Sequence, residues 1–418
     1  MKKKWRKRKN SAAALAFLVS LFFKILYLFR FVVKLAGGIF IAACTISFAA
    51  GHAYNQFQKM KRTIALLLLT ILSINISFAC TTFFINKNGQ MVFGRNYDWI
   101  TGKGMLCTNQ KGLAKTSDDT KDGAKISWVS QYGSITFNQY GKEFPTGGMN
   151  EKGLVVEMMW LDGTKYPDAD ERPTIGELQW IQYQLDNCSD IDELISTDKK
   201  LRIASKGTTP LHFLVADAKG NAATIEFFEG KMKVHKGNNL SFPVLTNDNY
   251  ASSVEQTKSA ISLTSGSSKS FTNNSIDRFA KACSMVTQFL QAPVNTSAID
   301  YSFNILDQVA QGSHTKWSIV YDIKNKKIHF KTLNYLQVKN VAFASFNFNC
   351  SAASKALNIN QPIEGDISGL FKDFSLEMNS KVVNKSFDES ISEFIVGEEG
   401  RKQTWQYPGT ISCYKAFN

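Results

Sequence analysis

From Cys80 onward the alternation of apolar and polar positions is strand-like: CTTFFINK, then Asn88-Gly89, then QMVFGR. Asn-Gly between two apolar runs predicts a hairpin, because both residues tolerate the positive φ of a type I′ turn. Further hairpins are predicted for Leu211–Asp217 with Ala222–Phe228, joined by AKGN, and for Trp317–Asp322 with Ile328–Leu333, joined by IKNKK. Helical segments lie between them. Thr174-Ile-Gly-Glu177 reads as a capping box opening a helix through Leu185. Ser189–Ser196 reads as a short helix. Ser275–Gln291 places Ile276, Phe279, Cys283, Val286 and Leu290 at helical spacing, and Ser297–Gln311 predicts another helix. Hairpins mixed with helices, without strict β-α-β alternation, indicate an α+β fold of antiparallel sheets with helices packed outside. The tail beyond Pro362 is charged and Ser-rich with weak periodicity, and no element is assigned to it.

The chain ahead of Cys80 has a different pattern. A basic block, Lys2 to Lys9, precedes apolar runs at Ala12–Phe23, Ile25–Val33 and Leu35–Ala50. The last approaches the ~20 residues that span a bilayer, and the flanking positive charges suit a cytoplasmic side. A second start follows. Met60-Lys61-Arg62 is a short positive region, Thr63–Leu72 an apolar core, and Ser77-Phe78-Ala79 places small residues at −3 and −1 of a cut before Cys80. Residues 60–79 thus read as a secretory signal peptide and 80–418 as the folded domain. Residues 1–59 are either upstream sequence, with translation starting at Met60, or a membrane segment preceding the cut. The first is favoured, because a cleaved protein gains nothing from an anchor it leaves behind. A periplasmic or secreted product is expected from a membrane-associated precursor.

This division changes the reading of charge. Of 418 residues, 49 are Lys or Arg and 35 Asp or Glu, a net charge of +14. Residues 1–79 hold thirteen of the basic residues and no acidic one, leaving 36 basic against 35 acidic in the body. A near-neutral body gives no electrostatic case for a nucleic-acid partner. The seven cysteines form no C-x-x-C pair and the five histidines are isolated, so no metal site is expected. His212 and His329, within apolar runs, read as satisfied structural histidines. Neither a Walker nor a dinucleotide glycine motif is present, and no cofactor is expected.

The chemistry centres on Cys80. A cut before it leaves one residue with a thiol, of ordinary pKa about 8.5, and an α-amine, about 7.7–8.0. The amine is a base poised near neutrality beside its own nucleophile, so no catalytic histidine is needed. Two other readings make Cys80 a small buried hydrophobe or, since Ala79-Cys80 fits the end of a lipobox, the anchor of a lipidated, non-catalytic binding protein. Lipidation would remove both nucleophile and base. Next comes Phe93-Gly94-Arg95-Asn96-Tyr97-Asp98-Trp99. The predicted hairpin returns this segment to Cys80, where Asp98 is placed to accept a hydrogen bond from the new ammonium and Arg95 to favour thiolate. Asn247 and Arg278, taken alone, read equally as a turn residue and a surface charge. Gly148–Leu154 (GMNEKGL) reads as a structural turn.

Cys80-Thr81, Phe93–Asp98, Gly148–Leu154, Val244-Leu245-Thr246-Asn247 and Asp277-Arg278-Phe279, in this order, resemble the choloylglycine hydrolase (penicillin V acylase) family. The resemblance covers residues 80 to about 335. It implies a four-layer α-β-β-α sandwich of two antiparallel sheets, the N-terminal-nucleophile hydrolase fold, and hydrolysis of a linear carbon–nitrogen amide bond. It implies that Cys80 attacks the amide carbonyl, that Arg95 and Asp98 orient its thiol and amine, and that Asn247 donates to the oxyanion. The resemblance further implies that Arg278 supports the charged site and that the backbone N–H at Trp160 is the second oxyanion donor. Bile salt hydrolases of Gram-positive bacteria carry Asn at the position of Trp160. Trp160 and Trp99 are more similar to the Gram-negative penicillin V acylase branch, and imply a clamp for an aromatic or fatty acyl group. The implied partners are a small-molecule amide (a conjugated bile salt, a penicillin V-like amide or an N-acyl homoserine lactone) and further copies of the chain in a tetramer. An acid-ceramidase-like amidase of similar fold fits the Phe93–Trp99 and Gly148–Leu154 segments less well.

Overall fold

The computed structural model describes Lys61 and residues 80–263, 274–293, 295–392 and 395–415. The chain divides into two units, Met1–Ser77 and Phe78–Asn418, and every sheet belongs to the second. Apart from Lys61, the predicted leader over 1–79 lies outside the described residues.

The strands in chain order are β1 Thr81–Lys87, β2 Gln90–Asp98, β3 Met105–Asn109, β4 Leu113–Thr116, β5 Ser127–Val129, β6 Ser134–Asn138, β7 Gly147–Asn150 and β8 Val155–Trp160. They continue with β9 Thr174–Ile175, β10 Arg202–Ile203, β11 Leu211–Ala216, β12 Ala222–Phe228, β13 Lys231–Lys236, β14 Val244–Leu245, β15 Thr315–Asp322 and β16 Lys327–Thr332. The last are β17 Tyr335–Ala342, β18 Lys355–Asn358, β19 Gly365–Asp366, β20 Lys372–Asp373 and β21 Ser412–Cys413. The helices are α1 Glu177–Asn187, α2 Ile191–Ser196, α3 Tyr250–Leu263, α4 Ser275–Gln291, α5 Ala298–Gln308, α6 Leu376–Glu389 and α7 Glu398–Gln406. A seven-stranded sheet runs β14-β1-β2-β15-β16-β17-β19 and a nine-stranded sheet runs β13-β12-β11-β8-β7-β6-β3-β18-β20.

The period-two pattern of the strands sorts them into four layers. Along β11, Leu211, Phe213 and Val215 pack with Trp180, Ile181 and Leu185 of α1, whereas Leu214 turns to the other face with Val155 and Met159 of β8 and Phe137 of β6. That second face meets the seven-stranded sheet, where Thr82 lies 3.0 Å from the Met159 sulfur. The far face of the seven-stranded sheet is covered by α4 on β1 and by α5 on β2 and β15. The expected α-β-β-α sandwich is therefore present.

The predicted hairpins form. Asn88 (φ 50°) and Gly89 (φ 76°) make the turn between β1 and β2, and the register is unbroken from Lys87 opposite Gln90 to Thr81 opposite Asn96. The helix at Ser275–Gln291 has the predicted ends, with Asn274 capping Asp277 N. The capping box at Thr174 does not form. Thr174 is extended in β9 beside Arg202, and its N–H and hydroxyl both donate to Ala124 O. The helix therefore starts at Glu177 behind Gly176, without a side-chain cap. The unassigned tail holds α6 and α7, and a disulfide between Cys350 and Cys413 closes the loop around them.

Gly94 stands where the Phe83 ring crosses the hairpin, and a Cβ there would overlap three of its ring atoms. Gly94→Ala is expected to destabilise the fold by about 1–3 kcal/mol, the usual cost of overpacking, as read by denaturant unfolding. A loss below about 0.5 kcal/mol, the range of neutral surface changes, would show that the ring has room to move.

Candidate active site

The β1–β2 register sets the site. It brings Cys80, just before β1, to the end of β2, where the Cys80 sulfur lies 3.8 Å from the Asp98 carbonyl oxygen. Thr82, one turn of the pleat further on, faces Arg95. Both the cysteine and the two charged residues are buried.

Arg95 points between the sheets. It pairs with Glu157 of β8, donates to the carbonyls of Thr146 (2.9 Å) and Met158 (3.0 Å), and lies 4.7 Å from the centre of the Tyr97 ring. Its direct charge partner is thus Glu157. Burial raises the Cys80 thiol pKa and outweighs the opposing pull of Arg95, so the chain as it stands, uncut before Cys80, holds a thiol. Among the opposing effects that of Arg95 is the largest, in the direction expected of it. Glu157 is also pushed up, to about 7, by burial, with Arg95 and a hydrogen bond from Tyr321 opposing. The sequence reading missed Glu157. Its signal is a lone carboxylate in VVEMMW, on the face of β8 that points away from α1.

Asp98 accepts a hydrogen bond from the Thr315 hydroxyl on Oδ1. Its Oδ2 is buried without a hydrogen-bond partner among the described residues. Burial raises its pKa to about 7, against the lowering effects of Arg278, Thr315 and Arg95. A buried carboxylate oxygen without a partner is costly and calls for a donor.

Arg278, in the first turn of α4, is buried and not a surface charge. It donates to the Cys80 carbonyl at 2.7 Å and the Thr81 hydroxyl at 2.8 Å. Its other terminal nitrogen reaches Asn247 Oδ1 at 3.3 Å. That contact fixes the amide orientation, so Asn247 Nδ2 faces Trp160 and donates to its carbonyl at 2.9 Å. The amide nitrogen has a second N–H. Five expected residues, Cys80, Asp98, Asn247, Arg278 and the main chain of Trp160, thus meet in one place, with Arg95 braced behind them.

The two expected tryptophans flank the opening. Their ring centroids are 6.1 Å apart. The Trp160 indole N–H donates to Asp162 and that of Trp99 to the Tyr140 hydroxyl at 2.6 Å. With Cys80 they line a cavity of about 320 Å³, otherwise walled mainly by Tyr97, Phe144, Met158, Leu178 and Phe387. Its surface suits an apolar group carried up to the sulfur. His212 is structural, as read. Its ring bridges Glu226 (3.2 Å) and the Thr246 carbonyl (2.7 Å) and so holds the strand end before Asn247. Asn150 of GMNEKGL binds the carbonyls of Leu185 and Cys188 and tethers the β7–β8 turn to α1.

The sequence model of linear amide C–N hydrolases, choloylglycine hydrolase family, matches residues 80–355. A penicillin V acylase of Pectobacterium atrosepticum is 24% identical over 369 residues, covering 75% of this chain and 96% of that protein. The solved penicillin V acylase of Agrobacterium tumefaciens superposes with a TM-score of 0.62 at 25% identity, covering 71% of this chain and 98% of that one. A mutant of the conjugated bile acid hydrolase of Clostridium perfringens superposes with a TM-score of 0.56 at 16% identity, covering 69% and 98%, a likeness of fold.

The Asp98 environment gives a pH prediction. A carboxyl raised from 3.8 to about 7 holds its proton more tightly folded than unfolded. Folding stability therefore falls as pH rises between those values and is flat beyond them. Asp98→Asn keeps the acceptor for Thr315 and removes this term. In the uncut chain, the Tm of Asp98→Asn relative to wild type is expected to climb from pH 4 to pH 7 and then level off. A pH-independent difference would contradict the assigned environment.

Proposed function

The chain belongs to the choloylglycine hydrolase family of linear amide C–N hydrolases, and we propose that it cleaves an amide with a hydrophobic acyl side, using Cys80 as nucleophile once the chain is cut before it. The observation that carries this reading is the buried, unpartnered Oδ2 of Asp98 at the strand end beside Cys80. A freed α-ammonium at Cys80 is a donor of the right charge for it. The lipid-anchor alternative needs an accessible sulfur, whereas that of Cys80 is buried inside the cavity.

In this reading the α-amine takes the thiol proton as the sulfur attacks the carbonyl carbon. The resulting oxyanion is met by the free N–H of Asn247 Nδ2 and by the Trp160 backbone N–H. The proton passes to the leaving nitrogen, the C–N bond breaks, and a thioester on Cys80 remains. Water, deprotonated by the same amine, attacks the thioester and releases the acid and the thiol. The charge of Arg278, bonded to the Cys80 carbonyl and to Asn247, keeps nucleophile and oxyanion donor in one frame, the condition for electrostatic stabilisation without reorganisation. Trp99 and Trp160 favour an aromatic acyl group, so phenoxyacetyl amides of the penicillin V type are the first substrates to try, ahead of bile salts and N-acyl homoserine lactones. The cut accompanies export, which places the enzyme in the periplasm or outside the cell.

Four experiments test the reading. Residues 80–418 freed of any preceding residue should hydrolyse such amides, and the chain retaining residues 1–79 should not. Cys80→Ser should lose most of the activity, since a hydroxyl is a far weaker nucleophile. Equal turnover from the uncut chain would overturn the mechanism. Asn247→Ala should lower kcat by about 100-fold or more with little change in KM. Trp160→Ala should raise KM for aromatic or long acyl groups while leaving kcat within about tenfold, the sign of lost uniform binding. The opposite split would show that the two roles are exchanged.

A further inference from the structure

The match to the family ends at residue 355, yet the acyl cavity does not end there. Phe387 of α6, Val396 ahead of α7 and Thr404 of α7 line it together with Cys80 and the two tryptophans. We propose that the α6–α7 pair is the far wall of the acyl cavity and that Phe387 and Val396 set the length of the acyl group this enzyme accepts. This rests on the amidase reading.

The pair is fastened to the site at several points. The Ser390 hydroxyl, at the C-terminal end of α6, lies 2.9 Å from the Tyr140 hydroxyl, which accepts the Trp99 indole N–H. A continuous hydrogen-bonded path thus joins the tail to one of the tryptophans at the opening. Glu389 accepts from Thr101, three residues after Asp98. Asn379 accepts the Lys142 N–H at 2.9 Å and donates to the Trp405 carbonyl at 2.9 Å, which ties both helices to the 140–146 loop. Phe387 packs on Tyr140 with ring centroids 4.9 Å apart. The Cys350–Cys413 disulfide anchors the segment from the other end.

The helices are weakly packed as structure. Among its residues α7 buries none, and α6 buries two apolar side chains, Val383 and Phe387, beside the polar Asn379 and Ser386. Val396, Trp405 and Leu178 are only partly buried against the cluster of Tyr140, Val383 and Phe387. An apolar surface left half-covered around a cavity is completed by what enters it, here the distal end of the acyl chain.

The test uses the full chain cut before Cys80 and a series of amides differing only in acyl length, from butanoyl to tetradecanoyl, with kcat/KM measured for each. Phe387→Ala should shift the long-to-short ratio of kcat/KM toward long chains by about tenfold, the lower range for removing bulk from an apolar pocket. Val396→Trp, at a partly exposed position, should shift it the other way. Phe387→Leu serves where the alanine variant is unstable. A parallel series in Cys80→Ala, with the free carboxylic acids titrated calorimetrically, reads the same selectivity without turnover. Opposite shifts in the two variants support the wall. Folded variants with the wild-type length profile in both series overturn it. A wild type that cleaves no amide, while acid binding shifts as stated, supports the wall and refutes the amidase reading instead.

Discussion

Arg278 connects the three pieces from which the site is made. Its guanidinium leaves α4, a helix packed on β1, and ends on the carbonyl of Cys80, the hydroxyl of Thr81 and the amide oxygen of Asn247. The start of one strand and the loop after β14 are thereby held to one rigid planar group. With its backbone N–H on the Ser275 hydroxyl and its amide oxygen on Arg278, Asn247 presents its nitrogen to the Trp160 main chain. The cation stands in the first turn of its helix, where the dipole disfavours positive charge. Inside the buried site that unfavourable placement is offset by the hydrogen bonds of the guanidinium to Cys80, Thr81 and Asn247.

The second constraint is desolvation. Two carboxylates, Asp98 and Glu157, are buried in the same region, and burial pushes both up to about 7. Glu157 has its cation in Arg95. Asp98 has Thr315 on one oxygen and nothing on the other among the described residues. The uncut chain therefore leaves one Asp98 oxygen without a donor at the place where, in the proposed mechanism, the cut delivers an α-ammonium. In the proposed mechanism one group serves both ends: the α-amine takes the thiol proton as base, and the ammonium it then becomes is a donor for the free oxygen of Asp98.

Much of this was legible in the sequence, and for local reasons. Asn88-Gly89 announces its turn by conformation alone, and that turn puts Cys80 and Asp98 together. Helix α4 is legible because its apolar positions keep the helical period and Asn274 caps it. What the sequence withheld depends on distance along the chain or on polar burial. Glu157 sits 62 positions from Arg95, and only the sheet-on-sheet packing reveals the pair. Thr174 resembles a cap in sequence but is drawn into β9 by Arg202 and Ala124. Helix α6 hides its period because Asn379 and Ser386 occupy buried positions where apolar residues are looked for. The far end of the cavity was invisible for that reason, while the end bearing Cys80 was not.

In the proposed mechanism the cut before Cys80 turns a buried, protonated thiol into the nucleophile of an amidase. Peptide mapping by mass spectrometry after brief exposure to a phenoxyacetyl phenyl ester, quenched in acid, tests it directly. An acyl group is expected on the N-terminal peptide at Cys80 of the cut chain and none on Cys80 of the uncut chain. Acylation of Cys80 to the same extent in both, or an acyl group found on Cys107, Cys188 or Cys283 in its place, would contradict it.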